Sequence, residues 1–338
     1  MQLAEGVLAG NRLALSRLMT FVENEEPEGY AALDQLFPYT GNAHLIGVTG
    51  SPGTGKSSLV NQLARLYRQP AGNSPAPRVG IVAVDPTSPF TGGAILGDRV
   101  RMRDLVGDPG IFIRSMASRG ALGGLAHKTS AVVQLLDAAG FEVIFIETVG
   151  AGQSEVEIAS LAHSTVVVEA PGLGDDIQAI KAGILEIADI LVVNKADQPG
   201  VEHTFRALQS MLNFASANAK PNKHPLSWQN EKGPPHQPEN TNEVWVPPLH
   251  KTIAANGNGV GELYRSLQDH KAFLKRTSEW ERRAKARLHR ELDELLQTTL
   301  LRQWRSRISD QVYQTTLEKL EKRALSPYRA LEQLIKSD

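Results

Sequence analysis

Gly50-Ser51-Pro52-Gly53-Thr54-Gly55-Lys56-Ser57 is the stretch that leaves this chain the fewest choices of fold. Before it runs HLIGVTG, short and rich in β-branched residues, as a buried strand reads. After it runs SLVNQLARLYR, with Leu59, Leu63 and Leu66 at helical spacing. A strand that turns through glycines into a helix start aims several backbone N–H groups at one point, where the helix dipole also favours an anion. The stretch fits G-x-x-x-x-G-K-[ST] at every fixed position, the pattern of a phosphate-cradling loop. Gly50, Gly53 and Gly55 would let the backbone close around phosphate oxygens, with Thr54 and Ser58 completing the set. Lys56 would reach the β- and γ-phosphates, and the Ser57 hydroxyl would bind Mg²⁺.

A second motif, Asn194-Lys195-Ala196-Asp197, follows the apolar run DILVV. A carboxylate at Asp197 can accept from both N1–H and the exocyclic amine of guanine, a pair that adenine does not offer. Lys195 would lay its stem over the base. Thr252-Ile253-Ala254 stands where a Ser-Ala pair would bring a backbone N–H, here that of Ala254, to the guanine O6; Ile253 departs from that pattern. The order of the motifs points to GTP or GDP as the ligand.

Acids at strand ends supply the metal side. VGIVAVD ends in Asp85, and VIFIETVG ends in Glu147-x-x-Gly150. Such acids hold the water shell of Mg²⁺, and a nearby glycine N–H senses the γ-phosphate. Asp98, in GDRVRM, is a third candidate, its alternative being a helix-start charge paired with Arg101 or Arg103. Lys56, Glu147 and Asp98 are the candidate catalytic residues, with Gln153 a further one for positioning water; Ser57, Asp85, Asp98 and Glu147 are the candidate metal ligands. Residues 113–129, with Arg114, Arg119 and Lys128, read either as a substrate loop or as a glycine-rich helix entry.

Strands alternate with helix-like segments from His44 to about His270. That predicts an α/β fold of the P-loop NTPase type, a mostly parallel sheet covered by helices on both faces. Three parts are expected: an N-terminal helical extension over 1–40, the nucleotide-binding domain over 41–270, and a charged helical arm over 271–338. The extension carries one apolar stripe (Leu3, Val7, Leu8, Leu13, Leu15, Leu18) and a polar link around Glu23–Gly29. The arm carries another, through Trp280, Ala284, Leu288, Leu292, Leu295, Leu296, Leu300, Leu301, Trp304 and Ile308, which needs a surface to cover it. Residues 217–248 are polar, Pro-rich and without period, an exposed insertion whose His224 and His236 are unpatterned.

Composition narrows the partners. A net charge of −1 gives no case for nucleic acid or an anionic membrane, and no Cys means no disulfide or thiolate metal site. No 18-residue apolar run exists, and Glu5, Arg12 and Arg17 interrupt the N-terminal stripe. A soluble protein of the cytoplasm is the expectation.

The set GSPGTGKSS, AVDPTSP, GDRVRM, SRGALGGLA, ETVGAGQSE, GLGDDIQAIKAGI and NKAD, from about His44 to Leu267, resembles the MeaB/ArgK GTPases. These are accessory proteins of adenosylcobalamin-dependent methylmalonyl-CoA mutase and related acyl-CoA mutases. The resemblance implies phosphate contacts at Gly53, Gly55, Lys56 and Ser57, metal-side acids at Asp85, Asp98 and Glu147, and guanine contacts at Asn194, Lys195 and Asp197. It also implies a switch segment ending at Lys181, a homodimer formed through the C-terminal helices, and GTP hydrolysis that gates cofactor loading or protection of the mutase. Slow intrinsic turnover is expected, since no residue stands out to position the water. The rivals are a kinase that passes the γ-phosphate to an acceptor and a nickel-delivery GTPase; nine scattered His and no Cys offer the latter no metal site.

Overall fold

The computed structural model describes residues 2–69, 75–86, 102–118, 124–148, 153–172, 187–218 and 243–336. Its strands are β1 (His44–Thr49), β2 (Val79–Pro86), β3 (Ile111–Ser118), β4 (Val143–Thr148), β5 (Ser164–Glu169), β6 (Ile190–Val193) and β7 (Leu249–Lys251). They form one sheet in the order β3-β2-β4-β1-β5-β6-β7, with every pairing parallel. The chain first builds to one side of β1 and then crosses to the other, so β1 and β5 are neighbours whose connections leave in opposite directions. The crevice beyond their carboxyl ends is where open parallel sheets bind ligands.

Both faces of the sheet are apolar because the strands carry almost unbroken Val, Ile and Leu runs. The pleat divides them. Ile46, Val48, Val143, Phe145, Val166 and Val168 join a core with α4 (Lys56–Tyr67) and α8 (Val260–Arg276). Leu45, Val82, Val84, Ile144 and Ile146 face the other way, onto α5 (Gly124–Ala138) and α6 (Gln153–Leu161). On that same face, Val167, Leu191 and Val193 pack with Leu208 and Leu212 of α7 (Val201–Asn218).

The N-terminal segment forms three helices, α1 (Gln2–Leu8), α2 (Arg12–Glu23) and α3 (Pro27–Leu36), rather than one stripe. Asn11 caps α2, its Oδ1 accepting from Leu13 N–H at 2.9 Å and Ala14 N–H at 3.1 Å. That break resets the helical phase. Val7, Leu15 and Leu18 are buried, whereas Leu8 and Leu13 remain 42% and 68% exposed. The three helices share the core of α5 and β4.

Residues 1–287 form one compact unit and residues 288–338 a second. Helix α9 (Glu279–Arg307) begins in the first unit. Within the second, α10 (Asp310–Glu321), capped by Ser309, packs on α11 (Pro327–Lys336), with Thr316, Ala330 and Leu334 buried. Leu288, Leu292, Leu295, Leu296, Leu300 and Leu301 of α9 are all exposed.

Candidate nucleotide site

The loop between β1 and α4 is shaped by glycines in the left-handed region. Gly50 has φ +132°, and a Cβ there would lie 2.0 Å from Val168 O; Gly55 has φ +91°, and a Cβ there would lie 2.4 Å from Asn194 Nδ2. No other residue type fits either place without moving a neighbouring strand end or the Asn194 side chain. Helix α4 starts directly after Gly55, so its first turn faces the mouth of the loop with the positive end of its dipole. Thr54 is fully buried, its hydroxyl donating to Ser51 O at 3.0 Å. Lys56 is 5% exposed and its Nζ donates to Gly50 O at 2.8 Å and Ser51 O at 2.9 Å, which places the ammonium within the loop. Ser58 lies on the exposed side of the same turn, and Gly53 is exposed at the tip.

On the metal side, β4 pairs directly with β1, and Glu147 is in register with Val48. The Ser57 hydroxyl donates to Glu147 Oε1 at 2.6 Å, with both residues buried. Two hard oxygen donors, one from the first turn of α4 and one from the carboxyl end of β4, suit Mg²⁺, which favours oxygen and keeps part of its water shell. Asp85 is in β2, on the far side of β4, paired with Ala117; its side chain is outside the described part of the molecule. Asp98, Gly150, Arg119, Lys181, His224 and His236 lie outside the described residues. Gln153 opens α6.

On the base side, Asn194 is the junction. Its Nδ2 donates to Thr54 O at 2.7 Å, and its Oδ1 accepts from Thr252 Oγ1 and Ala254 N–H, each at 3.0 Å. One side chain thus ties the phosphate loop to the end of β6 and to the loop after β7. Ala254 spends its N–H on this junction rather than presenting it to a guanine O6, the role its place in the sequence suggested. Lys195 takes a left-handed conformation, φ +57°, and Asp197 is exposed. Ile253 pairs with Asn258 through a backbone bridge that closes the supporting loop.

Arg114 and Lys128 turn elsewhere. Arg114 is inside β3 and bonds Glu23 through Nε at 2.6 Å, while Lys128 donates to Glu23 O at 2.9 Å and pairs with Glu25 at 3.1 Å. Arg114 fastens the N-terminal helices to the sheet, and Lys128 fastens them to α5.

A sequence profile described as methylmalonyl Co-A mutase-associated GTPase MeaB matches residues 15–309. The chain belongs to the MeaB family. It is 39% identical over 335 residues to a putative GTPase of Pyrococcus abyssi, spanning 99% of this chain and 95% of that protein. It is 33% identical over 333 residues to the GTPase ArgK of Escherichia coli, spanning 96% and 92%. Among solved structures it is similar to that of an LAO/AO transport system kinase, with TM-score 0.70 and 25% identity over 99% of this chain and 96% of the other. The fold is that of a P-loop NTPase, and the family is one of GTPases.

This MeaB-family chain also carries a buried polar cluster at the opposite, amino edge of the sheet, which the motifs do not reveal. Asp189, just ahead of β6, accepts from both terminal nitrogens of Arg283 at 3.0 Å and from Thr165 N–H at 2.8 Å; His270 Nε2 is 3.3 Å away. Ser164 bridges His44 and His270 at 2.8 Å on each side. Trp280 stacks on His163 with ring centres 3.8 Å apart. Burial works to raise the Asp189 carboxyl, but Arg283 and His270 outweigh it and hold it well below the usual carboxylate range. Burial, reinforced by Lys271 and His270, pushes His44 down; burial and Arg287 do the same for His163. The available signal in the sequence was a polar residue at the head of each of three apolar runs: His44, Ser164 and Asp189.

Proposed function

We propose that the crevice beyond β1 and β5 binds GTP with Mg²⁺, cleaves it to GDP and phosphate, and uses the nucleotide state to gate adenosylcobalamin loading or protection of methylmalonyl-CoA mutase or a related acyl-CoA mutase. The observation that carries the site assignment is the Asn194 junction, which brings the NKAD segment against the phosphate loop. The family's description carries the mutase assignment.

Mg²⁺ would be held by Ser57 and, through water, Glu147, with Asp85 and Asp98 as further acids, and would draw charge from the β- and γ-phosphate oxygens. The chain's own groups do the rest. The α4 N-terminus and Lys56 stabilise negative charge as it shifts toward the β–γ bridging oxygen. A water oxygen bonds to the γ-phosphorus, the bond to the GDP oxygen breaks, and the water's protons pass to phosphate and solvent. Asp197 accepts from the guanine edge and Lys195 covers its face. Slow turnover by the chain alone is expected, because no residue among those described stands out to position the water.

The exposed leucines of α9 support a homodimer formed through this arm. Among the described residues no helix is long and apolar enough to cross a membrane. We place the protein in the cytoplasm, in line with its proposed client.

The test is phosphate release with GTP and with ATP, alone and with a candidate acyl-CoA mutase. GTP-selective release that rises with the mutase supports the reading; equal use of ATP contradicts it. Labelled γ-phosphate on an acceptor would favour kinase activity, the reading suggested by the name of the similar solved structure. Leu292→Glu with Leu296→Glu is expected to yield monomers in sedimentation while keeping the wild-type circular dichroism spectrum.

A further inference from the structure

Strand β6 is four residues long and has a polar hub at each end. At its carboxyl end, Asn194 joins the phosphate loop to the loop after β7. At its amino end, Asp189 joins β5 through Thr165, α8 through His270 and the root of α9 through Arg283. Trp245, in the segment leading to β7, donates to Asp189 O at 2.8 Å. The hubs are five residue steps apart, roughly 16 Å along an extended strand. Strand β5 runs beside β6, and its Glu169 O accepts the Asn194 N–H at 2.7 Å. A shift of β6 along its axis would therefore strain both hubs together.

A buried carboxylate–guanidinium pair is a costly way to fasten a helix, since apolar residues of similar volume often hold as well. What the pair adds is geometry. Two parallel N–H···O bonds accept one register of the α9 root on the strand and reject its neighbours. Arg283 also donates to His163 O at 2.6 Å, so the guanidinium is fixed on two sides, and Trp280 stacks on the same His163 one turn earlier. This root is the part of α9 that precedes the exposed leucines.

We propose that Arg283 is a positioning residue for guanine-nucleotide binding, acting through Asp189 and β6 on the Asn194–Asp197 segment, so that the root of α9 and the nucleotide site are thermodynamically coupled. The inference rests on the guanine-nucleotide reading of the site. Coupling of this kind is reciprocal: whatever fixes the root tightens the nucleotide, and the nucleotide steadies the root.

The experiment uses the full-length chain. Arg283→Met keeps an unbranched apolar stem but removes the fork and its charge; Arg283→Lys restores a charge without the fork. For Arg283→Met, KM for GTP and Kd for GDP are expected to rise roughly five- to tenfold, the lower part of the usual coupling range. The kcat at saturating GTP stays within about twofold, because Lys56 and Ser57 are on α4, outside the Asp189–β6 route, and Arg283→Lys lies between. A general loosening of the fold would not produce that split. Hydrogen exchange on the wild-type chain reads the reverse direction: GDP should slow exchange of amides 280–287. An Arg283→Met chain with a native circular dichroism spectrum and unchanged KM overturns the proposal. So does GDP that leaves 280–287 unaffected, which decides the matter if the variant does not fold. A wild-type chain that binds no GDP would overturn the reading of the site as well, and that result appears before any variant is made.

Discussion

At one end of β6, Asn194 gathers the phosphate loop and the loop after β7 but leaves Asp197 exposed beside it; at the other, Asp189 is enclosed by Arg283, His270 and Thr165. Both are buried polar side chains at strand ends, and each accepts several hydrogen bonds. The difference lies in what surrounds them. The carboxyl edge is built from loops and glycines whose backbone approaches closely, with the first turn of α4 facing the mouth of the phosphate loop. The amino edge is closed by helices, so its charges find partners within the chain. One edge of a parallel sheet can thus be a binding surface while the other is an internal fastening.

The largest expected effect sharpens that contrast. Asp189→Ala strands the Arg283 guanidinium in the interior, and breaking a buried pair in this way costs about 3–5 kcal/mol. Urea denaturation should show a loss of that size. Lys56→Ala removes the ammonium assigned to the triphosphate in the proposed mechanism, together with its hydrogen bonds to Gly50 O and Ser51 O, and is expected to slow γ-phosphate release roughly 10²–10³-fold. Its urea midpoint should remain near wild type; a large drop would mean that the carboxyl edge is also a fastening.

Gly55→Ala comes next. It forces a side chain into φ +91° and against Asn194 Nδ2, at a cost of about 1–3 kcal/mol, and loosens GDP because it displaces the junction. Denaturation with and without GDP separates the two effects. The smallest effect is with pH. His44 and His163 are held neutral by burial, so the unfolded chain binds more protons than the folded one once pH falls below about 6.5. Stability from these groups is then fully present above that pH and declines below it, by at most about 1.4 kcal/mol per pH unit for each histidine. Melting temperatures at pH 7.5, 6.5 and 5.5 would show it, and substitution of His163 by Gln should flatten the slope.

How much of this was legible follows the same divide. The phosphate loop is local: glycines, Lys56 and Ser57 sit within one turn, and the flanking strand and helix have clear periods. Alternation of strands and helices was enough for the parallel sheet, because each buried strand is a continuous apolar run. Asn194 was legible as a motif, but its bonds to Thr54 and Thr252 were not, since they join segments 140 and 58 residues apart. The amino-edge cluster showed only as a polar residue at the head of three apolar runs, with nothing to say that they meet. His44, Ser164, Asp189, His270 and Arg283 follow no spacing, and only the fold brings them together. In the N-terminal helices, Leu8 and Leu13 matched the apolar stripe by period, yet the Asn11 cap ends that period and leaves both exposed.

The account stands on recognition of guanine by Asp197 beside the phosphate loop, and calorimetric titration of GDP and XDP into wild-type and Asp197→Asn chains in magnesium buffer tests it most directly. The wild-type chain should bind GDP and reject XDP. The variant should lose GDP affinity and gain XDP, because an amide can donate to the 2-oxo group of xanthine where the carboxylate accepted from the guanine amine. Equal binding of the two nucleotides by the wild-type chain, or a variant with unchanged preference, would contradict it.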